Sequence, residues 1–417
     1  MNPIFLSWGI ALAATAGVIL RPFRWPEAIW AVAGAVVLVA LGLLPAHLAW
    51  QAVGKGADVY LFLIGMMLLS ELGRREGLFD WIAVLAVNYA QGSPRRLFLL
   101  VYGVGVVVTT FLSNDAAAVV LTPAVFAAAK KAETKPLPLL YVCAFIANAA
   151  SFVLPISNPA NLVLYANHTP PLASWVARFA LPSVLSIVAT FAMLRWTQRA
   201  DLSGTCARGL PVERLSANGK VTLAGIGVTA IALLVVSAFD MQLGMPTAVL
   251  GVLTALVVLV KERRSPLELV SEISWSVLPL VAGLFVLVEM LDHTGVIRQL
   301  SSLLATATQH DEAMTAAGSG VVIALGSNAV NNLPAGLIAS ATALQAHSPE
   351  HVIDTLLIGV DLGPNLSITG SLATILWLSS IRREGEEVGF MQFFRIGLAV
   401  MLPALVLALG ARLLTGH

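Results

Sequence analysis

Residues 111–125 read FLSNDAAAVVLTPAV. The stretch lies inside a long apolar region, yet it sets Ser113, Asn114 and Asp115 side by side and runs on to Pro123. A carboxylate at the centre of a bilayer costs about 3 kcal/mol on insertion scales. Hydrocarbon tolerates unpaired backbone only where it is buried in protein or lines a cavity. The triplet is therefore expected where a helix breaks and lines a site. The competing reading, a polar contact between two helices, is weakened because the same pattern returns later in the chain.

The rest of the composition agrees with a membrane setting. The chain has 417 residues, of which 58% are hydrophobic and 11% charged, with a mean hydropathy of +0.86. Soluble domains carry roughly 25% charged residues, so the class is an all-α polytopic membrane protein. A net charge of +1 suggests no nucleic-acid partner. Cys143 and Cys206 are too few for a disulfide framework. The N-terminal MNPIFLSWGIALAATAGVIL lacks the basic flank of a signal peptide and reads as a retained first span.

Apolar segments predict ten spans and two further pairs, 97–112 with 115–129 and 313–326 with 333–346. Each pair is too short and too closely coupled for two ordinary spans and carries its polar residues in the middle, so each reads as a re-entrant hairpin. Segments 137–166 and 352–380 are long and interrupted, by LPISNPAN (154–161) and DLGPNLSITG (361–370), and read as discontinuous helices. The stretches 78–91 and 296–308 are amphipathic and expected at the interface. With both termini outside, Lys55, Arg178, Arg298 and Arg412 alone among 24 Lys and Arg fall outside. Arg263 and Arg264 join the cytoplasmic majority. That is the bias that sets orientation. The polar connection 197–219 divides the chain and is expected to be cytoplasmic, its basic character a topology signal.

GMMLLSELGRREG (65–77) aligns without gaps on GLFVLVEMLDHTG (283–295), matching Gly65, Glu71 and Gly77 to Gly283, Glu289 and Gly295. Ser113-Asn114 pairs with Ser327-Asn328 at nearly the same offset. The expected plan is two inverted-topology repeats, 1–196 and 220–417, each with five spans and one hairpin. In transporters of this plan the solute binds near the midplane, where broken helices meet.

The candidate site gathers Ser113, Asn114 and Asp115 with Ser327, Asn328, Asn331 and Asn332 from the hairpins. Ser157, Asn158, Asn161, Asp361, Asn365, Ser367, Thr369 and Ser371 come from the breaks. Half-helix ends offer free N–H and C=O groups, and Asn, Ser and Thr both donate and accept. Gly326, Gly363 and Gly370 allow close approach, and Pro123, Pro155, Pro159, Pro334 and Pro364 flank the breaks. No Arg or Lys lies near these motifs in sequence. The set thus favours a neutral or cationic solute, with Asp115 and Asp361 as proton or cation carriers, against a capping role for Asp361. Asn148 precedes the first break and is expected to face the site from behind, as is Ser371. Glu71 and Glu289 lie near span ends and suit structural ion pairs. Cys143 reads as a small hydrophobe, and the seven histidines show no metal spacing. No cofactor is expected. No phosphate loop is present, nor a nucleophile–base pair, so the chain is not expected to be an enzyme.

At NDAAAVVLTP (114–123), FIANAASFVLPISNPANLV (145–163), NNLPA (331–335) and IGVDLGPNLSITGSLATILWL (358–378) the chain resembles the arsenite efflux permease family, the ArsB type, within the ion transporter superfamily. The resemblance runs through nearly the whole chain and is most specific in the last motif. It implies export of arsenite and antimonite across the bacterial inner membrane, driven by the membrane potential or a proton gradient. Some members associate with a soluble arsenite-stimulated ATPase. Asn148 stands where an acid is expected in some relatives, which shifts the coupling role to Asp115 and Asp361. The rival readings are a sodium/proton antiporter of the same superfamily, a sodium-coupled dicarboxylate carrier, and a channel or membrane subunit of an ATPase-driven pump.

Overall fold

The computed structural model describes every residue except 1–2, 166–168, 213, 240, 263–264 and 416–417. Arg263 and Arg264, counted above with the cytoplasmic charges, lie outside the described residues. No strand occurs among those described.

The first half runs α1 (Pro3–Leu20), α2 (Glu27–Ala40), α3 (Ala46–Lys55), α4 (Ala57–Arg75), α5 (Leu78–Tyr89) and α6 (Pro94–Leu112). After one non-helical residue come α7 (Asn114–Ala116), a π turn (Ala117–Leu121) and α8 (Thr122–Lys131). It ends with α9 (Leu137–Ala149), α10 (Pro159–Tyr165) and α11 (Leu172–Thr197). The second half repeats this order with α12 (Ala217–Ala238), α13 (Gly244–Glu262), α14 (Pro266–Glu272), α15 (Val277–His293) and α16 (Val296–His310). There follow α17 (Glu312–Val330), α18 (Asn332–Gln345), α19 (Glu350–Leu362), α20 (Leu372–Arg383) and α21 (Phe390–Leu414). The correspondence extends to detail. The joints α3–α4 and α14–α15 both bend by 47°. Gly77 and Gly295 both take the left-handed conformation that starts α5 and α16.

Seven described helices are long and apolar enough to cross a membrane, or nine with each bent pair taken as one span. The protein is multi-pass. Two of the nine, α6 and α17, belong to the pairs 97–129 and 313–346, so seven of the ten expected spans are among them; the other three are α2, cut short at Ala40, and the interrupted helices α9–α10 and α19–α20. A second difference lies in the hairpins. The leading arms α6 and α17 have 19 residues each, about 28 Å of helix, and the first returning arm runs unbroken from Asn114 to Lys131, so shortness describes only α18, with 14 residues.

The helices share one hydrophobic core that runs from Ala31, Phe62 and Leu284 to Phe145, Trp377 and Phe393. The helix α4 lies along α13, and α2 along α15 and α1; elsewhere α11 lies along α21, and α17 along α19. Glycines set the closest approaches. A Cβ on Gly65 would sit 2.2 Å from Thr247 O, and one on Gly359 2.2 Å from Gly320 O. The connection 197–219 is strapped to the first half. Cys206 N–H donates to Gly92 O at 3.0 Å, Ala207 N–H to Ala132 O at 2.8 Å, and Asn88 exchanges two bonds with Leu210 at 2.9 and 2.8 Å.

Candidate functional site

Four helix breaks meet in the interior. At the first hairpin Ser113 closes α6 with φ 102° and ψ 161°. At the second, Asn331 closes α17 with φ 75° and ψ 154°. Both torsion pairs belong to a region that only glycine enters without strain, and such strain costs about 1–3 kcal/mol and gathers at functional sites. Ser113 and Asn331 stand at the same offset as Gly77 and Gly295. The backbone equivalents are therefore Ser113-Asn114 and Asn331-Asn332. The pairing of Ser113-Asn114 with Ser327-Asn328 is corrected by one helical turn.

The two broken helices interlock across the halves. At the end of α9, Asn148 Nδ2 donates to Asn365 Oδ1 at 3.0 Å and to Thr374 Oγ1 at 3.4 Å. Asn365 Nδ2 returns to Phe145 O at 3.0 Å. At the end of α19, Asp361 Oδ1 accepts from Asn158 Nδ2 at 2.7 Å. Counted back from the starts of α10 and α20, Asn148 and Asp361 are equivalent, so the amide and the acid occupy matching places. Both are fully buried. Asp361 Oδ2 has no hydrogen-bond partner, and no ion pair reaches Asp361 among the described residues.

A cavity of about 480 Å³ opens beside these breaks. Ser113, Asp115, Val119, Pro123 and Pro159 form its inner wall, and Ser70, Ser274, Ser379 and Ser380 add hydroxyls. The Asp115 carboxylate has no hydrogen bond or ion pair among the described residues, while its N–H donates to Asn114 Oδ1 at 2.9 Å. The expectation that no base lies near the motifs is overturned: Arg74 and Arg383 line this cavity, with Glu71, Glu272 and Glu384. Arg74 arrives at the end of α4, far from the motifs in sequence, and Arg383 at the end of α20, about three turns beyond Ser371. Glu71 is ion-paired to Arg74 at 2.5 Å, as its position at a span end suggested. Arg74 also contacts Glu272. Glu289 pairs with Lys55 at 2.7 Å.

The remaining candidates divide by what holds them. Ser157 Oγ donates to Thr110 O at 3.0 Å and ties the first break to α6. Asn161 Nδ2 donates to Ser151 O at 2.8 Å, with Leu154 O and Pro155 O also in reach. In the second half Asn328 Nδ2 donates to Ala324 O and Gly363 O at 2.8 and 2.9 Å. Its Oδ1 accepts from Ser367 Oγ at 2.7 Å. Thr369 Oγ1 donates to Asn328 O at 3.1 Å, Asn331 Nδ2 to Thr369 O at 3.4 Å, and Asn332 N–H to Gly370 O at 2.9 Å. Ser327 Oγ bonds Ala324 O at 2.9 Å, and Ser371 Oγ lies 2.8 Å from Thr374 Oγ1. Asp115 and Asp361 thus do not share one wall. Asp115 faces the cavity, and Asp361 is sealed behind Asn158, the neighbour of cavity-lining Pro159.

Two buried acids escaped the sequence reading. Glu27 pairs with Arg21 at 2.6 Å and faces Asn331 across a gap of about 10 Å³. Asp354 is bound by Arg412 at 2.7 Å. Its spacing from Asp361, two turns on one helix, was the available clue. A polar pocket of about 580 Å³ at Asn88, Gln91, Arg96 and Arg208 lies away from the breaks.

Comparison with known proteins gives a consistent picture. The family model described as Citrate transporter, CitMHS, matches residues 15–359. The arsenical pump membrane protein of Escherichia coli (strain K12) is 26% identical over 394 residues, covering 91% of each chain. That of Yersinia enterocolitica is 26% identical over 375 residues, 87% of this chain and 86% of its own. An uncharacterized transporter of Mycobacterium tuberculosis is 24% identical over 417 residues, 96% of each. Among solved structures, the Alcanivorax borkumensis YdaH transporter, described as having an unusual topology, superposes with a TM-score of 0.60. It is 14% identical and covers 99% of this chain and 98% of that one, a likeness of fold. Broken helices around a charged cavity, a family match across most of the length and relatives matched end to end lead to one conclusion: this chain is a membrane transporter belonging to the Citrate transporter (CitMHS) family.

Proposed function

We propose that the chain exports arsenite and antimonite from the cytoplasm in exchange for protons, with Asp115 and Asp361 as the carriers. The observation that carries this reading is Asp361: fully buried, free of any basic partner among the described residues, and with one carboxylate oxygen unpaired. A charge so placed is expensive in the membrane interior, and a proton on the unpaired oxygen removes it. Asp115 sits on the cavity wall, where water and solute reach it. Arsenite at neutral pH is largely a neutral pyramidal trihydroxide, and the hydroxyls of Ser70, Ser113, Ser274, Ser379 and Ser380 suit its three O–H groups. A neutral solute gains nothing from the membrane potential, so uphill export needs a coupling ion. The names of the Escherichia coli and Yersinia enterocolitica relatives support the arsenical substrate.

In this reading the halves 1–196 and 220–417 are oppositely oriented in the bacterial inner membrane, with both termini outside. The cavity mouth, which carries Glu71, Arg74, Arg383 and Glu384, then opens to the cytoplasm, where the charge bias puts Arg74 and Arg383. The segments 97–129 and 313–346 are the re-entrant hairpins. The second reading is a carboxylate anion as substrate, favoured by Arg74 and Arg383 on the cavity wall and by the family description.

The test uses everted vesicles and an imposed pH gradient, following arsenite and citrate separately for the wild type, Asp115→Asn and Asp361→Asn. Gradient-driven arsenite movement is expected in the wild type and lost in both variants. Undiminished movement in both would remove the carrier assignment. Citrate movement without arsenite movement would establish the second reading.

A further inference from the structure

The helix α10 is pinned to α19 at both ends. Asn158, just before α10, holds Asp361 at 2.7 Å. Tyr165, the last residue of α10, gives its hydroxyl hydrogen to Asp354 Oδ1. Asn158 and Tyr165 are seven residues apart, as are Asp354 and Asp361, so each separation is two turns of helix, about 10 Å. The acid spacing on α19 matches the donor spacing across α10, and the two helices run past each other in opposite directions.

Asp354 is itself immobilised. It is fully buried. Arg412 of α21 grips its Oδ2 through Nε at 2.8 Å and Nη2 at 2.7 Å. Arg178 of α11 stands 3.7 Å from its Oδ1 and pairs with Glu350 at 2.6 Å. The charged and titratable groups facing Asp354 are thus Tyr165, Arg178 and Arg412 from three helices, with Glu350 on its own. This also explains why Arg178 and Arg412 stand among the few bases assigned to the outer side: they are committed to a buried acid. Two guanidinium nitrogens converging on one carboxylate oxygen make a charge-assisted anchor, and removing one partner of a buried pair is strongly felt.

We infer that Asp354 and Tyr165 are positioning residues: they fix the register of α10 on α19, and so keep the Asn158 amide on the Asp361 carboxylate. The helix α10 has only seven residues, and among the described residues the Tyr165 hydroxyl is the polar side-chain fastening at its C-terminal end. Loosened at Tyr165, α10 can slide or rotate, and Asn158 loses its hold on the acid two turns away. The inference rests on the reading of Asp361 as a proton carrier, because that makes the Asn158 contact visible in transport.

The experiment measures arsenite transport against pH in proteoliposomes for the wild type, Asn158→Ala, Tyr165→Phe, Asp354→Asn and the Asn158→Ala/Tyr165→Phe double variant. Tyr165→Phe deletes one hydroxyl and keeps the ring, which secures a folded test protein if Asp354→Asn fails to fold. Tyr165→Phe is expected to move the pH midpoint in the same direction as Asn158→Ala, and the double variant no further than Asn158→Ala alone. A Tyr165→Phe midpoint equal to the wild type, or shifts that add in the double variant, would overturn the inference. An Asp361→Asn protein that keeps the wild-type pH profile would instead overturn the carrier reading, so the two failures are distinct.

Discussion

The two hairpin breaks share one backbone device and use it differently. Ser113 and Asn331 adopt nearly the same strained torsions at the same point of their halves. Around Asn331 the polar groups are spent on one another and on backbone: Asn328 alone makes bonds to Ala324, Gly363 and Ser367. Around Ser113 few are spent. Asp115 has its carboxylate free among the described residues and lines the open cavity. The lesson is that the repeat supplies two equivalent frames, of which one is stitched shut and the other left with its carboxylate unpaired among the described residues on a cavity wall. The acids follow the same division, one on the first hairpin and one on the second broken helix.

The comparison can be broken most sharply at the residue following each unbroken limb. Gly363 follows α19, and a Cβ there would lie 2.2 Å from Ala324 O and 2.6 Å from Ser327 Oγ. Ala150 follows α9, where the first half accommodates a side chain in a fully buried place. Gly363→Ala is expected to cost about 3 kcal/mol by overpacking, and Ala150→Gly about 1 kcal/mol through backbone entropy. Thermal unfolding of the purified protein in detergent checks the order. Equal losses at the two positions would mean that the second half is no more tightly stitched than the first.

A smaller effect separates the asparagines themselves. Asn328→Ala removes three hydrogen bonds and leaves the Ser367 hydroxyl and Gly363 carbonyl without this partner, a loss of about 2 kcal/mol. Asn114→Ala removes a single bond to the next residue's N–H, about 0.5–1 kcal/mol. The same unfolding measurement should rank them in that order, with arsenite transport by Asn114→Ala more affected than its stability. A reversed ranking would place the solute at the second hairpin.

Much of this frame is legible in the chain before any coordinates. Pro155, Pro159 and Pro364 cannot continue a helix, and the breaks fall beside them. Gly77 and Gly295 reveal the repeat because their left-handed torsions leave an identity that survives. The hairpin register was misread for the converse reason. Ser327-Asn328 repeats the letters of Ser113-Asn114, but the equivalence lies in torsion angles, which Asn331 shares without sharing the letter. Arg74 was missed because the end of α4, remote in sequence, converges on the cavity, and Arg383 because it closes α20 about three turns beyond the break. Asp354 went unread as a partner of Asp361, although two turns on one helix is a visible interval, because its bases come from α11 and α21.

The smallest effect concerns the linker, which covers the first half's face and bonds there to Gly92, Ala132 and Asn88. Cys206 sits in this strap at 8% exposure. Burial pushes its thiol above the ordinary thiol range, against smaller opposing contributions from a backbone hydrogen bond and from Arg208. The thiolate is the reactive form, so less of it is present at neutral pH than in a free cysteine. Maleimide labelling should therefore be slow at neutral pH and keep rising beyond the pH at which an exposed thiol levels off. Asn88→Ala removes both bonds to Leu210, worth about 1 kcal/mol net each, and should raise the labelling rate at fixed pH by roughly fivefold or more, since 1–2 kcal/mol shifts an opening equilibrium by about that factor. An unchanged rate would show that the strap is held elsewhere, at Gly92 and Ala132 rather than at Asn88.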